Sequence, residues 1–500
     1  MKKRKLLSNV IFPTAIFLIS LLFRSYNLTS TEIYPDEITW TVRSREAFLA
    51  IKTNNFDYFK SAWWTKDTDT EAINLPQTII SGASIFLLAK GQPTHYSLEL
   101  FSDFIAARIP IVFLTSIFIA IFYFITKRIT NNKYIALLAS LLLSIDPTSI
   151  ALSRWLLVDY PLTIWMFLAI SSFFLIKNIK ISIIVSSIFI SLAFLTKPTG
   201  LILFIPLFLS KQYKTIITFF CFLVFAKLLW LGQEGNIIID MYSYIFNQFQ
   251  LSNNSFITFF NGKITSNPPF YYYVQQILTR LPIIIISSLL FYPIFVKKKI
   301  LKNKKLLTII IPLFVISYIL ILSIPAKKLG IRYIFPVIPW LYLFSGISIY
   351  YFLNKLHKFY KTIAIISIFA ISSTVSLFYF PNYYIYRNIF SGGPKIVQSN
   401  EVIGLCMGAR SSILNLINKY PDIKSVAYLG CSKSTLPYYT NVTISTDWKT
   451  ERFVIVEESM KLLSPNLEEI IYFNNKKPIY INDWHGVVLS RIYDNLELEK

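Results

Sequence analysis

The chain has 500 residues, 54% hydrophobic and 15% charged, with a mean hydropathy of +0.53. A soluble protein carries about 25% charged residues, so a soluble enzyme with an ordinary core is excluded. The net charge of +23 raises nucleic-acid binding, but the cations fall in short loops between apolar blocks rather than on one free face, which argues against it.

Spanning a hydrocarbon core of about 30 Å takes roughly 20 apolar residues as helix. The apolar blocks predict eleven spans, at 7–23, 104–126, 134–150, 160–176, 181–195, 199–209, 215–231, 281–296, 306–324, 333–353 and 362–380, with room for up to thirteen. The first follows a basic head, Lys2 to Lys5, and precedes no small-residue cleavage site, so it reads as an uncleaved anchor. Loops 1–6, 127–133, 177–180, 210–214, 297–305 and 354–361 each contain Lys or Arg and no Asp or Glu. That asymmetry predicts a cytoplasmic N-terminus and turns the acidic loops outward, with a prokaryotic plasma (inner) membrane the expected location. Residues 1–381 form the membrane domain, with long outward loops at 24–103 and 232–280. Residues 382–500 are an exported domain whose short apolar runs (Val426–Leu429, Phe453–Val456, Val487–Leu489) predict strands and whose Ser411–Lys419 predicts a helix. The fold class is thus all-α and polytopic, with a small α/β tail. Cys406 and Cys431 lie outward, where a disulfide is allowed but not dictated.

Charged residues at or near membrane depth default to function. Asp36 and Glu37 follow the first span; either they cap the helix beginning at Ile38, or one deprotonates an acceptor hydroxyl. Arg154 and Asp159 share a nine-residue loop, as an interfacial pair or as part of a polar site beside Asp36. Lys197 stands alone between two short apolar blocks. Lys327, Lys328 and Arg332, next to Tyr333, put basic charge on the outward side and so break the asymmetry kept elsewhere. A phosphate at headgroup level explains that breach better than snorkelling does. Carboxylates and cations on one membrane surface suit transfer from a lipid-linked phosphate. No glycine-rich phosphate loop, histidine pair or CxxC motif is present. A transporter or lipid flippase is the rival reading, but no internal repeat supports it.

The order of these motifs resembles the GT-C membrane glycosyltransferases of the protein O-mannosyltransferase and aminoarabinose transferase kind, glycosyltransferase family 39 and its relatives. Asp36-Glu37 matches their acidic motif, and Ser153-Arg154 with Asp159 their Ser-Arg…Asp loop. Asn74-Leu75-Pro76 stands imperfectly where they have His-Pro-Pro. Pro269-Phe270-Tyr271-Tyr272-Tyr273 is similar to a Pro-Trp-Tyr-Tyr segment, and Lys328…Arg332-Tyr333…Pro336…Pro339 to their Lys-x-x-Arg-Tyr motif. Tyr383-Tyr384 and Gly392-Gly393-Pro394-Lys395 look like the entry to the exported tail of prokaryotic relatives. The resemblance implies an inverting displacement with a polyprenyl-phosphate sugar as donor and a protein, lipid or glycan as acceptor. Asp36 is then the base, with Glu37, Arg154 and Asp159 beside it. Lys197, Lys327, Lys328, Arg332 and Tyr333 would hold the phosphate, and Tyr271, Tyr272 and Tyr273 would line the site. No cofactor is implied, although a divalent ion between Asp36 and Asp159 stays open.

Overall fold

The structure is a computed structural model that describes residues 7–55, 75–89, 101–210, 212–230, 235–253, 257–296, 303, 305–398, 401 and 407–498. The chain is a polytopic bundle of α-helices carrying a small α/β domain at its C-terminal end.

In chain order the helices are α1 (Phe12–Ser25), α2 (Pro35–Lys52), α3 (Pro76–Leu88), α4 (Phe101–Thr130), α5 (Lys133–Ser144), α6 (Pro147–Ser153), α7 (Asp159–Leu175), α8 (Ile179–Thr196), α9 (Pro198–Phe208), α10 (Gln212–Leu229) and α11 (Ile237–Asn253). A hairpin, β1 (Thr258–Phe260) and β2 (Lys263–Thr265), comes next. The bundle then closes with α12 (Tyr272–Arg280), α13 (Ile283–Val296), α14 (Leu306–Ser323), α15 (Ile331–Leu353) and α16 (Lys358–Phe378).

Local chemistry sets the boundaries. Asn132 and Asn178 each accept two backbone N–H groups at the starts of α5 and α8, and Asp146 accepts from the Ser149 N–H at the start of α6. Proline opens α2, α3, α6 and α9, where its missing N–H costs nothing.

Among the described residues, five helices are long and apolar enough to cross a bilayer singly: α4, α8, α14, α15 and α16. The count reaches seven when α5 with α6 and α12 with α13 are each taken as one span, bent by 61° and 117°. The expected eleven is therefore not reached by length and composition. A helix occupies each of the eleven apolar blocks, but several are cut short by proline or by a polar cap.

The C-terminal α/β domain contains the three expected strands and the expected helix, and adds two strands and further helices. Its sheet has five strands in the order β4-β3-β5-β7-β6, where β3 is Ser425–Leu429, β4 Thr443–Ser445, β5 Phe453–Glu457, β6 Tyr480–Trp484 and β7 Val487–Asp494. Three helices, α17 (Ala409–Lys419), α18 (Glu458–Leu463) and α19 (Glu468–Asn474), complete it. Strand β3 runs parallel to β4 and β5, while β7 is antiparallel to β5 and β6. The strands β4 and β6 are the ones the apolar runs did not announce. One face of the sheet buries Val426, Tyr428 and Ile455 with Ile413 and Leu416 of α17; the other buries Ala427, Val454 and Val456 with Ile470 and Phe473 of α19. Met407, Val487 and Leu489 join the core of the helical bundle, so the two parts pack against each other. Cys431 is disulfide-bonded and Cys221 is free; Cys406 lies outside the described residues.

Candidate active site

Tyr34 is extended and Pro35 begins α2, so Asp36 and Glu37 fall in one helical turn. Successive residues of a helix point about 100° apart, and the two acids part company accordingly. Glu37 turns inward and is fully buried. Its carboxylate accepts from Arg108 Nε at 2.8 Å, from Arg108 Nη2 at 2.7 Å and from the Leu156 N–H at 3.0 Å. Arg108 also donates to the carbonyls of Thr31 and Glu32. Glu37 and Arg108 thus tie α2, α4 and the loop after α6 together, with no face left toward a substrate.

Asp36 turns the other way. Its side chain is 51% exposed and accepts from Arg332 Nη1 at 2.7 Å. Arg332 lies in the tight turn that opens α15, with its guanidinium 5.3 Å from the Tyr34 ring centre and 5.5 Å from that of Tyr333. A second pair forms near the same ring: Lys197 Nζ lies 2.5 Å from Asp159 Oδ1 and 4.4 Å from the Tyr333 ring centre. Two carboxylates and two cations, from the starts of α2, α7 and α15 and the end of α8, therefore meet around one tyrosine. Burial pushes the Tyr34 hydroxyl above its ordinary pKa, so this residue stays neutral at physiological pH.

The remaining expected residues sit beside the cluster rather than in it. Arg154 is buried and donates to Thr31 Oγ1 and to the carbonyls of Arg24, Tyr26 and Asn27. It staples the turn that delivers Asp36. Lys328 Nζ is committed to the carbonyls of Pro268 at 2.9 Å and Pro325 at 2.8 Å, while the Lys327 N–H bonds to the Ser252 carbonyl at the end of α11. Tyr271 is exposed, Tyr272 Oη accepts from the Gly330 N–H at 3.1 Å, and Tyr273 is fully buried. Asn74 lies outside the described residues. Among the described residues no group of three or more His, Cys, Asp or Glu is arranged to hold a metal.

Two features escaped sequence reasoning. Arg108 sits in the first turns of an apolar helix, a placement that by itself signals a buried partner. A second polar cluster, Arg280, Arg387, Glu401 and Gln276, lines a cleft with Tyr34, Tyr272, Lys328 and Tyr384. Glu401 accepts from Arg387 Nη2 at 3.1 Å and from Gln276 Nε2 at 3.2 Å. Gln276 and Arg280 are one helical turn apart on α12, but Arg387 and Glu401 lie more than a hundred residues on, and no motif links the two halves.

Residues 94–257, which include Arg154, Asp159 and Lys197, match the family model described as dolichyl-phosphate-mannose-protein mannosyltransferase. The whole fold is similar to ArnT from Cupriavidus metallidurans bound to undecaprenyl phosphate, with a TM-score of 0.51 and 12% identity over 97% of both chains. The apo state of the same protein gives 0.51 and 13% over the same shares. The archaeal oligosaccharyltransferase AglB from Archaeoglobus fulgidus, in complex with an inhibitory peptide and a dolichol-phosphate, gives 0.50 and 10%, covering 90% of this chain and 69% of that one. No curated protein matches this chain. The chain has the GT-C fold that its motifs led one to expect.

Proposed function

We propose that this chain is an inverting glycosyltransferase that moves a sugar from a polyprenyl-phosphate carrier to a hydroxyl or amine acceptor. Asp36 takes the acceptor's proton as the acceptor oxygen or nitrogen attacks the anomeric carbon. The bond from that carbon to the phosphate oxygen breaks, and its electron pair leaves with the polyprenyl phosphate. Configuration inverts because a single displacement occurs. Arg332 and Lys197 offer positive charge where the leaving phosphate gains negative charge, which is where fixed charge lowers a barrier most. Asp159 fixes Lys197, and the Tyr333 ring is close to both cations. Glu37, Arg154 and Lys328 act as positioning residues, since their polar atoms are committed to backbone or to Arg108.

The observation that carries this reading is the pairing of Asp36 with Arg332 at 2.7 Å, next to Asp159 with Lys197 at 2.5 Å. ArnT and AglB, which share the fold, were solved with undecaprenyl phosphate and dolichol-phosphate respectively, which supports a polyprenyl-phosphate donor here. The acceptor is a protein, lipid or glycan on the outer face of a plasma membrane. In the same reading the short apolar helices α1, α7, α9 and α10 complete an eleven-span bundle with its N-terminus cytoplasmic and its C-terminal domain outside.

Purified protein in proteoliposomes, given a radiolabelled polyprenyl-phosphate sugar and candidate acceptors, should release free polyprenyl phosphate only when an acceptor is present. No metal is assigned a role, so turnover should persist in EDTA. Movement of the intact donor across the bilayer without cleavage would support a flippase instead.

A further inference from the structure

Helix α11 carries a surface that the catalytic reading does not use. Its sequence, Ile237–Asn253, alternates apolar and polar residues at helical spacing. Met241 and Tyr244 face the protein and are buried, with the Tyr244 ring 5.5 Å from Phe194 and from Trp230. Beside them a second apolar arc is left uncovered: Ile238, Tyr242, Ile245, Phe246 and Phe249 are 37–67% exposed. At 100° per residue these five fall within about 100° of arc, with the exposed Ile239 and Gln250 at its border and Ser243, Asn247 and Asp240 roughly 60–120° beyond its edge.

A soluble surface rarely leaves so many large apolar side chains in one stripe, and this stripe has an identifiable neighbour. Phe194 is in the last turn of the spanning helix α8, and Trp230 follows α10 directly, so α11 rests on the outward ends of the bundle. The outer surfaces of those helices are apolar and exposed as well: Val224 and Leu228 on α10, and Leu320 with Ile324 at the end of α14. The stripe on α11 continues the surface that meets lipid.

We propose that α11 lies in the plane of the outer bilayer interface, with Ile238, Tyr242, Ile245, Phe246 and Phe249 set among the acyl chains and its polar side among headgroups and water. A helix with one apolar stripe and a polar opposite side lies on a membrane rather than through it. The placement has a consequence for the nearby loop. The Ser252 carbonyl, in the last turn of α11, accepts the Lys327 N–H at 3.0 Å, so the 325–330 turn is held at the depth at which α11 floats. The inference does not depend on the catalytic reading.

Single cysteines at 242, 245, 246 and 249, and at 243 and 247 for contrast, can be spin-labelled in full-length protein in which Cys221 is replaced by Ser. In proteoliposomes the first group should be accessible to dissolved oxygen and shielded from a water-soluble nickel chelate, and the second group the reverse. Chelate access all round the helix would place the stripe in water and overturn the proposal. Shielding of the first group from both reagents would overturn it too, because the stripe would then be covered by protein. Labels on exposed positions leave the packed face intact, and a retained elution profile on size exclusion confirms folding for each variant.

Discussion

At the residue scale, two neighbouring acids meet different surroundings because a helix separates them by about 100°. Asp36→Asn removes a base from an exposed position and should cost about 10²–10⁴-fold in turnover while leaving the thermal midpoint near that of the parent. Glu37→Gln should do the opposite. It strands Arg108 without its partner in a buried site, which costs about 3–5 kcal/mol and is read as a fall in midpoint or in folded yield. Replacing both, as Glu37→Leu with Arg108→Met, should recover much of that loss, because an apolar pair of similar size needs no partner. If the double variant stayed folded yet inert with Asp36 in place, Glu37 would have a chemical role after all. The pair was legible in the sequence as a pair, and only the family resemblance singled out Asp36; the residues alone left open which member faced the site, since that depends on where the helix starts. Lys328 illustrates the same limit. Its place in a basic run suggested phosphate, yet the turn between Pro325 and Gly330 folds its ammonium onto two carbonyls.

At the scale of elements, hydropathy located a helix in each of the eleven apolar blocks but not its length, because proline and asparagine caps trim apolar runs that composition alone would extend, and it did not announce α2, α3, α11 or α12. The β1–β2 hairpin was readable and was passed over: Asn261-Gly262 occupy its two-residue turn with φ of 50° and 75°, the geometry that Asn-Gly favours. Contacts between α2 and α3 were not readable. A Cβ placed on Gly82 would stand 1.9 Å from the Ser44 carbonyl oxygen and 2.7 Å from Phe48 Cβ, so Gly82→Ala must push the helices apart. A loss of about 1–3 kcal/mol is expected, seen as a lower midpoint in detergent, and an unchanged midpoint would mean the helices pack less closely than described. Glu401 joins the tail to α12 through Gln275 and Gln276, and pairs with Arg387 within the tail. Burial works to raise the pKa of its carboxyl, but Arg387 and Arg280 outweigh it and hold the group below its ordinary value. A carboxyl depressed in the folded state contributes stability that is fully present above its unfolded pKa of about 4.3. That contribution is lost as pH falls through the lower folded value. Glu401→Gln should therefore lower the midpoint at pH 7, and the gap to the parent should close as the pH drops below about 4.

For the whole molecule, the bundle brings one end each of α2, α7, α8 and α15 to one place, and the C-terminal domain packs against the bundle through Met407, Val487 and Leu489. Charge asymmetry between loops sorts whole loops to one side of a membrane. It could not foretell that Asp36 and Arg332, 296 residues apart, would touch, since that contact depends on how the spans pack. The account stands on those two residues serving one lipid-linked sugar. The most direct measurement compares parent and Asp36→Asn protein in the same proteoliposomes for two quantities: binding of the polyprenyl-phosphate sugar, and acceptor-dependent release of free carrier. Binding within a few-fold of the parent, with release reduced to background, is the expected result. Undiminished release from Asp36→Asn would contradict the account, whatever the binding showed.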